Sequence, residues 1–399
     1  MSSIAYFSWT HRSVVESGPG CRTYGPLRMM TMGSVRPAII TDANLVKAGV
    51  TQLVKDIFDV QGAPRIVGVY DKVSPEFSGI DANECARWCR ENAVDGLVAV
   101  GGGSVIDCSK AVKAMIGMKV TKLWDLAPGL AAMYTEPTAK PLGVPHIAFP
   151  TTAGTGCEVS AAIVATHEEA HAKGIIYHPY MNPDHAFLDA DLTVGLPPHI
   201  TAHTGFDALV HAIEGMTSLI THDMIDSFAI QSIKMIRKYL PLAVRDGKDL
   251  LARHKMLVAA NMAIVPVLLA GPYYPIHNMA HGVGAALHIP HGEANMVAAP
   301  IMMDAFPAHY LTHTANIADA FDLDSRMKPE DIVSAAAQAL RDLQEACGLT
   351  NGTKYKQVID EATVENLCMA IKYDPSGAQY PLPKELIKTC IYKAFEVKK

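Results

Sequence analysis

Apolar positions in the first half of the chain fall in short, dense blocks. They are Pro37-Ala38-Ile39-Ile40-Thr41, Arg65-Ile66-Val67-Gly68-Val69-Tyr70, Gly96-Leu97-Val98-Ala99-Val100 and His146-Ile147-Ala148-Phe149. Blocks that are apolar on successive residues predict strands buried on both faces. Residues 43–59 and 81–93 carry helical spacing instead, and a further helix is expected to start near Ser104. This alternation predicts an α/β unit: a parallel sheet covered by helices on both faces. Residues 1–35 read as irregular, broken by Gly18-Pro19-Gly20 and Gly25-Pro26. Beyond about residue 193 the texture changes. Long helical patterns occupy roughly 198–219, 222–240, 248–269, 293–308, 331–347 and 384–396, and strand signals nearly vanish. Leu196-Pro197-Pro198 punctuates the change. The expected organisation is an α/β domain over 1–193 and an all-helical domain over 194–399, without internal repeats.

Composition narrows the partners. The chain has 399 residues, 49% of them hydrophobic, enough for large cores. It contains no uninterrupted apolar run of membrane-spanning length. Met1-Ser2-Ser3-Ile4-Ala5-Tyr6 lacks the basic and apolar regions of a secretory signal. The net charge is −6 and the basic residues are scattered, so neither nucleic acid nor an anionic membrane is an expected partner. The eight cysteines show no zinc-ribbon or CxxC spacing and read as free thiols in a reducing cytoplasm.

Chemistry concentrates in a few places. In Thr204-Gly205-Phe206-Asp207-Ala208-Leu209-Val210-His211, Asp207 and His211 stand one helical turn apart. His277 and His281 repeat that relation, and Pro290-His291-Gly292 follows. One carboxylate and several imidazoles suit a first-row divalent ion, and an ion with an open position can polarise an alcohol or carbonyl oxygen. Spacing alone does not rank His277, His281, His288 and His291. His167, His171, His178 and His185 read as surface or structural residues.

Gly101-Gly102-Gly103-Ser104 leaves a strand and opens a helix, where glycines let phosphates approach the helix N-terminus. A tight strand-to-helix turn would look the same. Thr151, Thr152 and Thr155 form a second small-residue loop, equally readable as turn chemistry or as pyrophosphate and ribose contacts. Asp42 ends a strand. It could bond a ribose or cap the next helix, and it precedes the glycine loop instead of following it as in the usual dinucleotide fingerprint.

With these motifs in place, the chain resembles the iron-containing (group III) alcohol dehydrogenase family over about residues 36–310. The resemblance rests on Gly101-Gly102-Gly103-Ser104 with Asp107 and Lys110, Thr151-Thr152-Ala153-Gly154-Thr155-Gly156-Cys157-Glu158-Val159, Gly195-Leu196-Pro197-Pro198, Thr204 to Glu214, and His277-Asn278-Met279-Ala280-His281 with Pro290-His291-Gly292. It implies an N-terminal domain holding a nicotinamide cofactor, an all-helical domain holding the metal, and an active site in the cleft between them. It implies Asp207, His211, His277 and His291 as metal ligands, and His281 as a catalytic histidine near nicotinamide and substrate. It implies Asp42, Gly102, Gly103, Ser104, Asp107, Thr151, Thr152 and Lys173 as cofactor-binding positions, with Asp42 favouring NAD over NADP. The family's opening strand and glycine fall on Arg22-Thr23-Tyr24-Gly25-Pro26, loosely matched, with a shortened helix after them.

The expected function is an NAD-dependent alcohol dehydrogenase or aldehyde reductase using Fe2+, alternatively Zn2+. A hydroxyacid–oxoacid transhydrogenase with tightly held NAD is the alternative, and a non-catalytic metal-binding scaffold a more distant one. Tyr273 and Tyr274 lie four and three residues before His277, so at least one ring is expected near the ligand face. No Arg or Lys stands in the immediate metal motifs to clamp a carboxylate, which points to a primary alcohol or aldehyde, uncharged near the reacting carbon. A homodimer or larger homo-oligomer is expected.

Overall fold

The computed structural model describes residues 10–135, 138–170, 172–270, 273–349, 358–377 and 380–398. His171 and the opening segment in which no leader was read lie outside the described residues. The chain's contacts divide it between Leu196 and Pro197 into two compact units.

The first unit runs β1 (Val14–Ser17), α1 (Gly25–Thr31), β2 (Pro37–Ile40), α2 (Ala43–Lys47), α3 (Val50–Phe58), β3 (Val69–Tyr70), α4 (Gly79–Glu91), β4 (Gly96–Gly101) and α5 (Gly103–Gly117). It continues with β5 (Ala131–Met133), β6 (His146–Pro150), β7 (Ala162–His167), β8 (Ala172–Tyr177) and β9 (His185–Leu188). Six strands form one parallel sheet in the order β1-β9-β6-β4-β2-β3. Successive residues of its central strands point to opposite faces, as the pleat requires. Ile39, Val98, Val100, Ile147, Phe149 and Phe187 pack with Met29 of α1 and with Val54 and Phe58 of α3. Their neighbours Ile40 and Leu97 pack instead with residues of α4 and α5. Both faces are therefore covered, which is why these strands read as unbroken apolar blocks.

Local chemistry sets the element ends. Ser78 and Asp81 form a reciprocal capping box at α4, a feature worth about 1 kcal/mol. The single helix expected over 43–59 is two, because Gly49 turns left-handed at φ 77° between α2 and α3. Residues 1–35 are not all irregular. The opening strand is Val14–Ser17, earlier than Arg22–Pro26, and a seven-residue helix starts at Gly25. Among the described residues that strand lies at the sheet edge, paired on one side only, so it needs no apolar block. A small sheet β5-β8-β7 also went unread. Its strands alternate, sending Ile163, Ala165 and Ile176 into the core beside α5, a pattern diluted by Gly174 and Lys173.

The second unit is built of α6 (Pro198–Met216), α7 (Asp223–Arg245), α8 (Leu250–Leu269), α9 (Pro275–Leu287), α10 (His291–Ala305), α11 (Pro307–Tyr310), α12 (Thr314–Phe321) and α13 (Pro329–Ala346), then β10 (Val358–Asp360), α14 (Glu361–Lys372), α15 (Lys384–Ala394) and β11 (Glu396–Lys398). The two short strands pair in parallel. Helices α6, α7 and α8 pack mutually, and α10 lies against α6, α9 and α13. Among the described residues, α8 is the one helix long and apolar enough to cross a membrane. Most of it is buried among its neighbours, and it carries the buried Arg253, whose guanidinium donates to Thr201 Oγ1 at 2.7 Å.

Candidate metal centre and nucleotide loops

Three helices bring the metal candidates together. Helix α6 carries Asp207 and His211 one turn apart, α9 carries His277 in its first turn, and His291 is the first residue of α10. Prolines at or before each helix start fix φ without sacrificing a bonded N–H. One ligand atom each from Asp207, His211 and His277 lie within 4.8 Å of one another. The His277 Nε2 is 3.5 Å and the His291 Nε2 3.2 Å from Asp207 Oδ1. The His211 and His277 rings stack at 4.7 Å. Asp207 and His277 are buried, whereas the His291 side chain is 43% exposed, so the cluster has one open side.

Electrostatics fit a cation here. The Asp207 carboxyl is held well below the usual range: burial opposes ionisation, but the His211 and His291 imidazoles, with His277 close by, outweigh it. Burial and neighbouring imidazoles lower His211 to about 3 against the pull of Asp207, so its ring is neutral and has one nitrogen lone pair to offer. His277 is raised to about 10; burial works against its charge, but the Glu214 and Asp207 carboxylates prevail. A site that pulls a proton onto an imidazole so strongly will also favour a divalent ion in its place. Among the described residues, His211 Nδ1, His277 Nε2 and Asn295 Oδ1 are buried without a hydrogen-bond partner. Such orphans cost about 1–3 kcal/mol each, and a metal ion answers the two imidazole lone pairs. The donor set of one carboxylate and imidazoles suits Fe2+ or Zn2+.

Three supporting residues were not singled out from the sequence. Glu214, buried on α6, binds His277 Nδ1. Asn295 Nδ2 donates to Asp207 Oδ1 at 2.9 Å and lies 3.2 Å from His291 Nε2. Asp374 Oδ1 holds His281 Nδ1 at 3.1 Å and also accepts from the Ser376 N–H. Glu214 continues the helical series 207, 211, 214, and Asn295 is one turn after His291, so spacing could have found both. Asp374 stands 93 residues from its partner, and no local signal points to it.

His281 lies beside the cluster, its ring 5.0 Å from that of His291. His288 takes a left-handed φ of 55° as it ends α9, a helix-termination role. His167 stacks on Trp124, His178 is buried near Tyr134 and Tyr180, and His185 pairs with Glu16. The Tyr274 hydroxyl donates to the Val267 carbonyl at 2.9 Å. Tyr273 packs edge-on against His309 and Tyr380.

In the first unit, β4 leads through Gly101 and Gly102 into α5. A Cβ on Gly102 would press on Thr152 at 3.2 Å, and one on Gly103 would strike Thr155 at 2.8 Å. The glycine loop and the threonine loop are thus in contact. The Thr151 N–H donates to the Gly101 carbonyl at 3.0 Å. Ser104 spends its hydroxyl on the Pro75 carbonyl, and Lys173 donates to Thr166 Oγ1. Asp42 Oδ1 accepts from the Asn44 and Leu45 N–H groups, the helix-capping reading of this residue. Asp107 is also tied into the unit's own structure. Its carboxylate is buried, paired with Lys110 at 2.8 Å and bonded to the Val164 N–H, so it ties α5 to β7.

Known proteins match both units. The model of the iron-containing alcohol dehydrogenase matches residues 13–190, and that of the Fe-containing alcohol dehydrogenase family, C-terminal, matches 201–389. The chain belongs to the iron-containing alcohol dehydrogenase family. By class it is an oxidoreductase acting on CH–OH. A probable alcohol dehydrogenase, EutG, of Salmonella typhimurium is 40% identical over 265 residues, 66% of this chain and 64% of that protein. The match therefore spans just under two thirds of that relative. The crystal structure of a 1,3-propanediol oxidoreductase superposes with a TM-score of 0.88 at 26% identity, covering 98% of this chain and all of that one. A sulfoacetaldehyde reductase from Bifidobacterium kashiwanohense in complex with NAD+ superposes at 0.82 with 27% identity, covering 98% and 99%. Family membership accounts for the doubly covered parallel sheet followed by a mostly helical unit.

Proposed function

We propose that this protein is an NAD-dependent, divalent-metal-dependent alcohol dehydrogenase or aldehyde reductase acting on a primary alcohol or its aldehyde. The observation that carries the reading is the convergence of Asp207, His211, His277 and His291, with orphaned imidazole nitrogens turned inward. When bound, the ion supplies Lewis acidity at a substrate oxygen, and NAD supplies or takes up hydride. Asp207, His211 and His277 would hold the ion from the buried side, with His291 at the open side. His281, whose Nδ1 is held by Asp374, has its Nε2 left to hold or move a proton. Gly102, Gly103 and the threonine loop would take the cofactor phosphates. Fe2+ is our first assignment and Zn2+ the alternative, and we place the enzyme in the cytoplasm as a homo-oligomer. Oxidation of primary alcohols by the iron-loaded protein with NAD tests the reading, and absence of turnover with either metal across an alcohol panel defeats it.

Asp42 gives a cofactor prediction. Its carboxylate would meet a 2′-phosphate with like charge, so NAD is preferred over NADP. Asp42→Gly should narrow that preference by about tenfold, equivalent to 1.4 kcal/mol. Equal kcat/KM for the two cofactors in the wild type would refute the assignment.

The tyrosines give a substrate prediction. Tyr274 is committed to the Val267 carbonyl, while Tyr273 belongs to an aromatic cluster with His309 and Tyr380. Tyr273→Ala should reorder kcat/KM across matched alcohols and ω-hydroxyacids, and Tyr274→Ala should lower stability without reordering them. An unchanged ranking in Tyr273→Ala would make both rings structural.

A further inference from the structure

Glu214 is a buried carboxylate with both of its oxygens committed, and His277 is among its partners. Oε1 accepts from the Ile276 N–H at 2.5 Å and from the His277 N–H at 3.2 Å. Oε2 accepts from His277 Nδ1. All three donors belong to the first turn of α9, and that helix has no side-chain cap of its own: Tyr274, at the capping position, makes no such bond. A helix start leaves four N–H groups without intrahelical partners. Glu214 therefore caps α9 from a different helix, and the same carboxylate accepts a hydrogen bond from Nδ1 of His277.

We propose that Glu214 is a positioning residue that keeps a proton on Nδ1 of His277, so that Nε2, which faces Asp207 and His211, is the nitrogen given over to the metal ion. The proposal rests on the metal reading above and adds to it the residue that makes His277 a competent ligand. An imidazole with its proton on Nε2 cannot bind an ion through that nitrogen. The Glu214 bond selects against that form, fixes the ring plane and raises the basicity of the free nitrogen. Helix α6 lies close against α8 at the next residue, where a Cβ on Gly215 would run into Pro266. Capping and tautomer control are thus one carboxylate's two tasks, and they separate chemically.

In Glu214→Gln the amide oxygen can still accept from the Ile276 and His277 N–H groups. The NH2 group then faces His277 Nδ1 and donates to it, which drives the ring proton to Nε2. Glu214→Ala loses both tasks. The test is zinc affinity of the apo-protein by chelator competition, beside its denaturant midpoint without metal. Glu214→Gln should weaken zinc binding by about 10–100-fold with a midpoint near that of the wild type, and Glu214→Ala should lower both. With Co2+ in place of zinc, the visible spectrum of Glu214→Gln should shift, a change that loss of a helix cap alone would not produce. Zinc affinity of folded Glu214→Gln within twofold of wild type overturns the proposal. Should that variant not fold, Glu214→Asp serves: it keeps the charge but shortens the reach by about 1.5 Å, and unchanged zinc affinity there overturns the proposal equally. His211→Ala separates the two readings. If it binds zinc as tightly as wild type, the metal centre itself is misplaced and the Glu214 proposal falls with it. If only His211→Ala loses zinc, the centre stands and Glu214 is merely a cap.

Discussion

Alanine at His211 or His277 is expected to strip the protein of most of its bound metal and to lower kcat/KM by more than a hundredfold. Outer partners of a metal site are already worth about 10–100-fold, and these two residues offer the lone pairs themselves. Among the described residues His211 Nδ1 and His277 Nε2 are buried without a hydrogen-bond partner, so no competing hydrogen bond holds either nitrogen. The α/β unit should stay folded, because neither residue belongs to it. Elemental analysis after anaerobic loading with iron or zinc, with circular dichroism as the folding control, checks the outcome. Unchanged stoichiometry in both variants would show that the ion sits elsewhere.

Lys110→Met should cost folding stability, not chemistry. The Lys110 side chain is fully buried on α5. Its ammonium pairs with Asp107 and donates to the Ser160 and Ala162 carbonyls, at 3.3 and 2.5 Å. Removing one partner of a buried pair leaves an uncompensated charge, at a cost of about 3–5 kcal/mol. The Asp107→Leu/Lys110→Met double variant removes both charges and should recover much of that loss. Guanidinium unfolding of the three proteins makes the comparison. A single variant within 1 kcal/mol of wild type, on the order of an ordinary surface change, would show that Asp107 is adequately held by the Val164 N–H alone.

The legible parts of the chain share a physical cause. Ile39, Ile40, Leu97 and Val98 had to be apolar because both faces of their sheet are covered, so strand blocks and helical stretches were plain in one dimension. Asp207 and His211 lie on one helix, as do His277 and His281, and helical periodicity alone predicts that each pair shares a face. The strands β1, β7 and β8 hid because an edge or half-covered strand tolerates polar and small residues.

The sequence by itself determined the class of each half, the glycine turn into α5 and the inventory of metal donors, because these depend on contacts between near neighbours in the chain. Tertiary structure alone decided what each donor touches. It set Asp107 against Lys110, Asp42 Oδ1 on the start of α2 and the Tyr274 hydroxyl on a carbonyl, contacts that carry no distinct residue pattern. It also set Asp374 beside His281 and closed Asn295 onto Asp207. Those pairs are 93 and 88 residues apart, and periodicity extends only along one helix, so the geometry that orients the histidines is written in the packing of α6, α9 and α10 against one another and the loop after α14.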